Sequence, residues 1–256
     1  MKEVLVERRN GISILTLNRP DHFNAMSISL AEQFANAVID EGSAEEVKVL
    51  IVTGAGRAFS GGGDIKGMAD YLAGDPMLFF KRLVMYLDAA VQDITRLEKP
   101  VLCAANGIAA GAGLSLALAC DMVFAAESAK FDAAYHRVGV VPDGGVSFLI
   151  PRTVGYHRAM ELIYSDRALT AREAMEWGLV NRVLPEAELM PTVLAFAERL
   201  AQGNMSAIGT AKRLFLDGMQ NSLETTIEAE RQAIAHRGRT QEFRDAVAKF
   251  LSRAKK

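Results

Sequence analysis

The chain has little of what a disulfide-framed, metal-binding or nucleotide-binding protein needs. Its two cysteines, Cys103 and Cys120, are isolated in 256 residues without metal-ligand spacing, and they read as buried thiols of a cytoplasmic protein rather than a disulfide frame. His136, His157 and His236 share no ligand spacing either, so no metal site is expected. The 29 basic and 31 acidic residues nearly cancel, which leaves no field to draw the protein to nucleic acid or an anionic membrane. The longest apolar stretch, VLCAANGIAAGAGLSLALAC, is interrupted by Asn106 and glycines. The opening MKEVLVERRN is charged where a signal peptide requires an apolar run, so neither a membrane span nor a leader is expected. What remains is a small-molecule partner. With 50% apolar residues, the chain can bury the core of one large domain, or of one domain with a helical appendage.

VLVERR and ISILTLN, joined by Asn10-Gly11, read as a hairpin, because that pair supplies the positive φ angles of a tight turn. Ser27 stands at an N-cap position before SLAEQFANAVIDE, whose apolar residues recur at helical spacing, and KVLIVTG is a short strand. After the glycine-rich GAGRAFSGGGDIKG, a helix from about Pro76 to Leu97 stops before Lys99-Pro100. PVLCAANG is a strand, GAGLSLALAC a helix and DMVFAAE a strand. SAKFDAAYHRVGVVPDGG holds too many breakers for regular structure and reads as a ligand loop. From Gly145 onward the pattern is helical, with NRVLP as the interruption. Alternating β and α units followed by helices predict an α/β core with an appended helical region, and the change is placed near residue 195.

FSGGGDI lacks the Lys-Ser or Lys-Thr of a phosphate loop and does not form GxGxxG. A second small-residue loop, NGIAAGAGL, runs from a strand into a helix. Two such loops can bring backbone N–H groups close to a substrate oxygen and bind one developing oxyanion between them. Equally, the glycines serve tight turns and close helix packing. A third stretch, VGVVPDGGVSF, is apolar except for one carboxylate, Asp143, which by itself reads either as a helix cap or as a chemical group.

Several long segments in order, LNRPDHFNAMS, VLIVTGAGRAFSGGGDIKGM, KPVLCAANGIAAGAGLSLALACDMVFAAESAKF, VGVVPDGGVSFLIPRTVG and AREAMEWGLVNRV, resemble the crotonase, or enoyl-CoA hydratase/isomerase, superfamily over nearly the full length. The resemblance implies an α/β spiral of repeated ββα units over residues 1–195, with a C-terminal helical trimerisation region over 196–256. It implies acyl-CoA thioester substrates, with coenzyme A entering as part of the substrate and no further cofactor, and a homotrimer or a dimer of trimers. It places the two oxyanion N–H groups at Gly63 and Ala112. Acyl-CoA contacts fall by the same resemblance on Ser60, Gly61, Gly62, Asp64 and Ile65 of the first glycine loop. Gly111, Tyr135 and Pro142 belong to the later loops. Arg19, His22 and Ala25 lie in the RPxxxNA loop, where a basic residue meets the nucleotide part. Asp64 also reads as a cap of its own loop.

Hydratases of this superfamily carry two glutamates that position water, and the matching residues here are Ser115 and Tyr135. Neither can serve as a base near neutral pH, given a reference value of about 10 for tyrosine. Asp143 supplies a carboxylate from elsewhere. It matches the aspartate of dienoyl-CoA isomerases and of ring-opening isomerases that act in phenylacetate breakdown, and its apolar setting raises its pKa. The expected activity is therefore a double-bond shift, with Asp143 moving the proton. Around YHRVGVVPD and HRAMELI the chain is also similar to 4-chlorobenzoyl-CoA dehalogenase, in which the same position is a nucleophile. There, Asp88 replaces the water-activating histidine, and Leu87 and Tyr135 occupy the places of aromatic clamp residues. The rival readings are a hydratase, a dehalogenase-like enzyme, and a silent acyl-CoA binder or scaffold. Residues 65–90, expected to line the acyl pocket, leave substrate choice unread.

Overall fold

The computed structural model describes residues 2–69, 71–165 and 167–253. Its first strands, β1 (Val4–Arg9) and β2 (Ile12–Leu17), form an antiparallel hairpin. The turn places Asn10 at φ 51° and Gly11 at φ 78°, the double left-handed geometry that an Asn-Gly pair tolerates. Helix α1 (Ile28–Ser43) begins where Ser27 Oγ accepts the Leu30 N–H at 3.0 Å. The chain then passes to β3 (Val49–Gly54), parallel to β2.

From there one pattern recurs. A buried, largely apolar strand enters a main sheet, and a three-residue strand follows in a second sheet before the chain turns helical. The pairs are β3 with β4 (Ala58–Ser60), β5 (Val101–Ala105) with β6 (Ile108–Ala110), and β7 (Met122–Ala126) with β8 (Lys130–Asp132). Helices α2 (Ile65–Ala69) and α3 (Pro76–Arg96) follow β4, and α4 (Ala112–Ala119) follows β6. After β8 come α5 (Val146–Val154), α6 (Tyr156–Tyr164), β9 (Leu169–Thr170), α7 (Ala171–Glu176), β10 (Arg182–Leu184) and α8 (Glu186–Ala201). The main sheet runs β1-β2-β3-β5-β7-β10 and the second β4-β6-β8-β9. In the second sheet β4, β6 and β8 are mutually parallel, so their C-terminal ends open on one side. That alignment places the ligand loops.

The ladder of ββα units matches the α/β spiral expected from the sequence. The differences are local. GAGRAFSGGGDIKG, NGIAAGAGL and SAKFDAAYHRVGVVPDGG each contain a three-residue strand, too short for a hydrophobic period to register. The helical stretch after Gly145 is divided by Gly155, at φ 81° and ψ 161°, a backbone conformation reserved for glycine. Helix α4 is apolar on all sides and buried along almost its whole length, as a helix in the middle of a core must be. Phe34, Phe59, Phe124 and Phe131 fill the space around the sheets.

The chain divides into two compact units, residues 1–201 and 202–256. Position 195 lies inside α8, which belongs wholly to the first unit. The second unit comprises α9 (Met205–Gly218), α10 (Leu223–Arg237) and α11 (Gln241–Arg253). Asn204 and Ser222 cap α9 and α10.

Candidate active site

Three loops leave the parallel ends of β4, β6 and β8 and meet around a cavity of about 650 Å³. The first two touch through glycine. A Cβ added to Gly62, at φ +94°, would lie 2.8 Å from Ala110 O and 3.6 Å from Gly111 Cα, so no side chain fits between the loops. Met26 fixes the first loop from behind: its N–H donates to Gly62 O at 2.6 Å and its carbonyl accepts from Asp64 N–H at 3.0 Å. These bonds use the groups on either side of Gly63 and leave the Gly63 N–H out of the bridge. Ala112 is the first residue of α4, where an N–H has no partner within the helix. Gly63 and Ala112 both line the cavity, and among the described residues neither N–H donates to another protein atom. Two adjacent loops thus present two unspent donors, one of them at a helix N-terminus.

The third loop carries Asp143. Its side-chain Oδ1 accepts the Tyr135 hydroxyl at 3.1 Å, and Tyr135 OH lies 2.9 Å from Ser115 Oγ. Ser115 Oγ in turn donates to the Asp143 carbonyl at 3.0 Å. Ser115 is fully buried in α4, where an unpaired hydroxyl would be costly; here it is satisfied by the loop it holds. Gly144 permits the close approach, since a Cβ there would sit 2.7 Å from Ser115 Cβ, with φ already at +54°. The residue that caps α5 is Gly145, without a side-chain bond. Asp143 contributes only its carbonyl to that turn, accepting from Val146 N–H at 3.2 Å. Its carboxyl faces the cavity instead of the helix end.

Burial is the main influence on Asp143 and pushes its carboxyl up from the ordinary value. The Tyr135 hydroxyl pulls it back, and the charge of Asp88 pushes it up again. Burial, then the charge of Asp143, drives the Tyr135 phenol well above its usual value, so that the phenol stays a donor. Asp88, on α3, lines the same cavity; burial raises its carboxyl too, partly offset by a hydrogen bond from Gly144 N–H.

Of the residues singled out in the sequence, Gly61, Gly62, Gly63, Ile65, Gly111, Ala112, Tyr135, Pro142 and Asp143 line this cavity. Arg19, His22, Ala25, Ser60 and Asp64 do not. The Arg19 guanidinium is engaged within the protein, with Ala25 O at 2.6 Å, Asp64 Oδ2 at 2.9 Å and Glu3 Oε1 at 3.2 Å. Asp64 also accepts Gly67 N–H at 3.1 Å. Burial opposes ionisation of Asp64, but the Gly67 and Arg19 hydrogen bonds hold its carboxyl below the ordinary value. Ser60 Oγ donates to Asn24 O at 2.9 Å, which anchors the glycine loop from inside. His22 is exposed at the end of a single 3-10 turn, Pro20–His22.

The sequence resemblance places Asp88 where the dehalogenase has its water-activating histidine, and the structure puts it in the cavity wall. Phe80, Val84 and Asp88 follow at four-residue intervals on α3 and all line the cavity. A lone acid closing an apolar stripe is a second, local signal for the same residue.

The sequence model of one family, enoyl-CoA hydratase/isomerase, matches residues 7–256. The chain belongs to the enoyl-CoA hydratase/isomerase family. The 1,2-epoxyphenylacetyl-CoA isomerase of Escherichia coli (strain K12) is 34% identical, over 99% of this chain and 97% of that protein. The 4-chlorobenzoyl coenzyme A dehalogenase-2 of an Arthrobacter species is also 34% identical, over 98% and 91%. The crystal structure of an enoyl-CoA hydratase from Bacillus anthracis matches with a TM-score of 0.92 at 32% identity, covering 98% of this chain and 96% of that one. As a member of the enoyl-CoA hydratase/isomerase family, the chain is an acyl-CoA enzyme with the crotonase fold. Nearly equal identities accompany three different reaction names, so identity does not rank the reactions.

Proposed function

We propose that the chain is an enoyl-CoA isomerase that moves a carbon-carbon double bond in an acyl-CoA thioester, with Asp143 as the base that opens the reaction. The observation that carries this reading is the hydrogen-bonded set of Ser115, Tyr135 and Asp143. At the two places where hydratases that the sequence resembles carry carboxylates, this chain has hydroxyls, and both hydroxyls are engaged in holding Asp143. The site's chemistry is thereby directed to proton removal from carbon. Asp143 is poised for that task because burial lifts its basicity above that of a solvated aspartate.

In the proposed sequence the thioester oxygen sits between the N–H groups of Gly63 and Ala112. Asp143 takes a proton from carbon, the electron pair moves onto the thioester oxygen, and the two N–H groups stabilise the charge as it develops. Reprotonation at another carbon completes the shift. These steps run on backbone donors and carboxyls, with coenzyme A present as part of the substrate. A dehalogenase-like hydrolysis is less well supported, since Leu87 and Asp88 stand where that enzyme has an aromatic and a water-activating histidine.

We further read the protein as a homotrimer or a dimer of trimers. Support comes from the apolar groove between α9 and α10, where Phe215 and Ile234 are 80% and 74% exposed. The free, buried Cys103 and Cys120 fit a reducing, cytoplasmic setting. Among the described residues no helix is long and apolar enough to cross a membrane.

The deciding experiment is deuterium exchange from solvent into a panel of straight-chain, branched and aromatic enoyl-CoAs, with hydration products measured alongside. Isomerisation that is abolished in Asp143→Asn supports the reading. Hydration without isomerisation would replace it.

A further inference from the structure

The first turn of α4 serves both halves of the site. Ala112, which offers one of the two unspent N–H groups, opens the helix, and Ser115 lies one turn further on, its own N–H bonded to Gly111 O at 3.1 Å. We propose that Ser115 is a positioning residue that acts through Tyr135: its hydroxyl hydrogen turns to the phenol oxygen while Asp143 is ionised, strengthening the bond by which Tyr135 holds the base, and turns to the Asp143 carbonyl once the base has taken a proton. The inference rests on the isomerase reading above and adds the residue that tunes its base.

A count of hydrogens is the first argument. Three contacts join the group: Ser115 Oγ to Tyr135 OH at 2.9 Å, Tyr135 OH to Asp143 Oδ1 at 3.1 Å and Ser115 Oγ to Asp143 O at 3.0 Å. While Asp143 is ionised the two hydroxyls supply only two hydrogens for them. The carboxylate is the strongest acceptor present and takes the hydrogen of Tyr135. The Ser115 hydrogen then has two close acceptors, with Gly111 O a longer third at 3.3 Å. Both carbonyls already accept a backbone N–H, Asp143 O from Val146 at 3.2 Å and Gly111 O from Ser115 itself. Among the described residues no other group donates to the phenol oxygen. Its contact with Ser115 is also the shortest of the three, and a phenol that donates to an anion becomes a better acceptor in turn. The hydrogen therefore follows the charge of Asp143.

Packing is the second argument. Ser115 is fully buried, and an added Cβ on Gly144 would lie 2.7 Å from Ser115 Cβ, so the site has no room for a longer side chain. Alanine would fit the same space, favour the helix and spare the cost of burying a hydroxyl. What alanine lacks is the hydrogen given to Tyr135.

The charges around Asp143 do not duplicate this device. Tyr135 and, from α3, Asp88 are the ionisable groups that bear on it. Helix α4 carries no ionisable side chain. Arg152 of α5 stacks over the Phe148 ring and, like His136 and Arg137 of the intervening loop, does not line the cavity.

The test is Ser115→Ala, Tyr135→Phe and the double variant, compared through the pH profile of kcat/KM and through carboxyl-carbon NMR of protein labelled at aspartate, with Asp143→Asn identifying the signal. Losing the Ser115 hydrogen weakens the bond to the charged form, so Ser115→Ala should move the acidic limb and the Asp143 titration upward by about half a pH unit to one unit, the scale of a neutral hydrogen bond. On the alkaline plateau kcat should fall by no more than about tenfold on the same scale, with KM within a few fold. In the Tyr135→Phe background Ser115→Ala should add no further shift, since the two act in series. A limb that stays in place or moves downward, or a shift that persists without the Tyr135 hydroxyl, would overturn the role of Ser115. The NMR titration needs no turnover: a wild type that shifts no double bond, with the titration moving as expected, overturns the isomerase reading and leaves the tuning of Asp143 standing.

Discussion

Tyr135 donates its hydroxyl to Asp143 Oδ1 over 3.1 Å, and the bond has two consequences. It aims the carboxyl, and it favours the ionised form, opposing the burial that raises the Asp143 pKa. A phenol held above its ordinary value cannot itself become the base. Tyr135 therefore lowers the pH at which Asp143 becomes competent, against the larger effect of burial.

Tyr135→Phe should consequently move the acidic limb of kcat/KM upward. The direction follows from the hydrogen bond: it stabilises the charged carboxylate, so its loss raises the pKa, and more base must be added before Asp143 ionises. A hydrogen bond to a charged group is worth about 1.5–3 kcal/mol, which corresponds to a shift of about one to two pH units. A profile that stays in place would mean that the phenol only fills space.

Replacing the acid should also change how stability depends on pH. Asp143 and Asp88 both have folded values raised by burial, so the fold favours their protonated forms. The stability linked to protonation is fully present below the unfolded value of about 3.9 and is lost as pH rises through the raised folded values. At neutral pH the wild type has lost it, whereas Asp143→Asn never carries the charge and keeps an acceptor for Tyr135. Asp143→Asn should melt at or above the wild type at pH 7, with the difference shrinking as pH falls below about 4. A variant that melts several degrees lower at every pH would show that the carboxylate is structural.

Gly63→Pro tests the oxyanion donors. Proline removes the N–H but leaves intact the Met26 bonds, which use Gly62 O and Asp64 N–H. The added Cβ would meet only the flexible end of Met68, at 2.8 Å. Turnover should fall by about a hundredfold or more, with a smaller loss of acyl-CoA affinity, since the donor acts on charge that develops during reaction. Unchanged turnover would remove Gly63 from the mechanism.

The parts of this architecture that could be read from the sequence are those with local causes. Asn10-Gly11 dictates its turn, Ser27 caps α1 through its own hydroxyl, and the run of small residues in α4 marks a helix buried on every side. Strands β4, β6 and β8 are three residues each and owe their existence to pairing with one another, which no local pattern encodes. Arg19 illustrates the same limit within the site: its partners Glu3 and Asp64 are remote in sequence, so a basic residue in a ligand-type loop gives no hint that its guanidinium is already engaged. Asp143 was visible because it is the one charge in an apolar stretch. Asp88 was read only through the dehalogenase resemblance, because its place in the cavity depends on which face of α3 meets it.

Assembly is read from the second unit. Helix α10 buries none of its 15 residues; Ile227, 53% exposed, lines the groove with Phe215 and Ile234, and Leu223 at the start of the helix is 69% exposed. Apolar area returns about 25 cal/mol per Å² when covered, and a patch of this kind on a lone chain is an aggregation hazard unless a second copy covers it. Light scattering at micromolar concentration should give the mass of three or six chains, the assembly proposed above on the family resemblance. Phe215→Glu with Ile234→Glu should reduce the assembly toward single chains, because each glutamate would have to be buried without a partner. A wild type that scatters as a monomer would end the claim. A trimer that survives both substitutions would place the contact on another face.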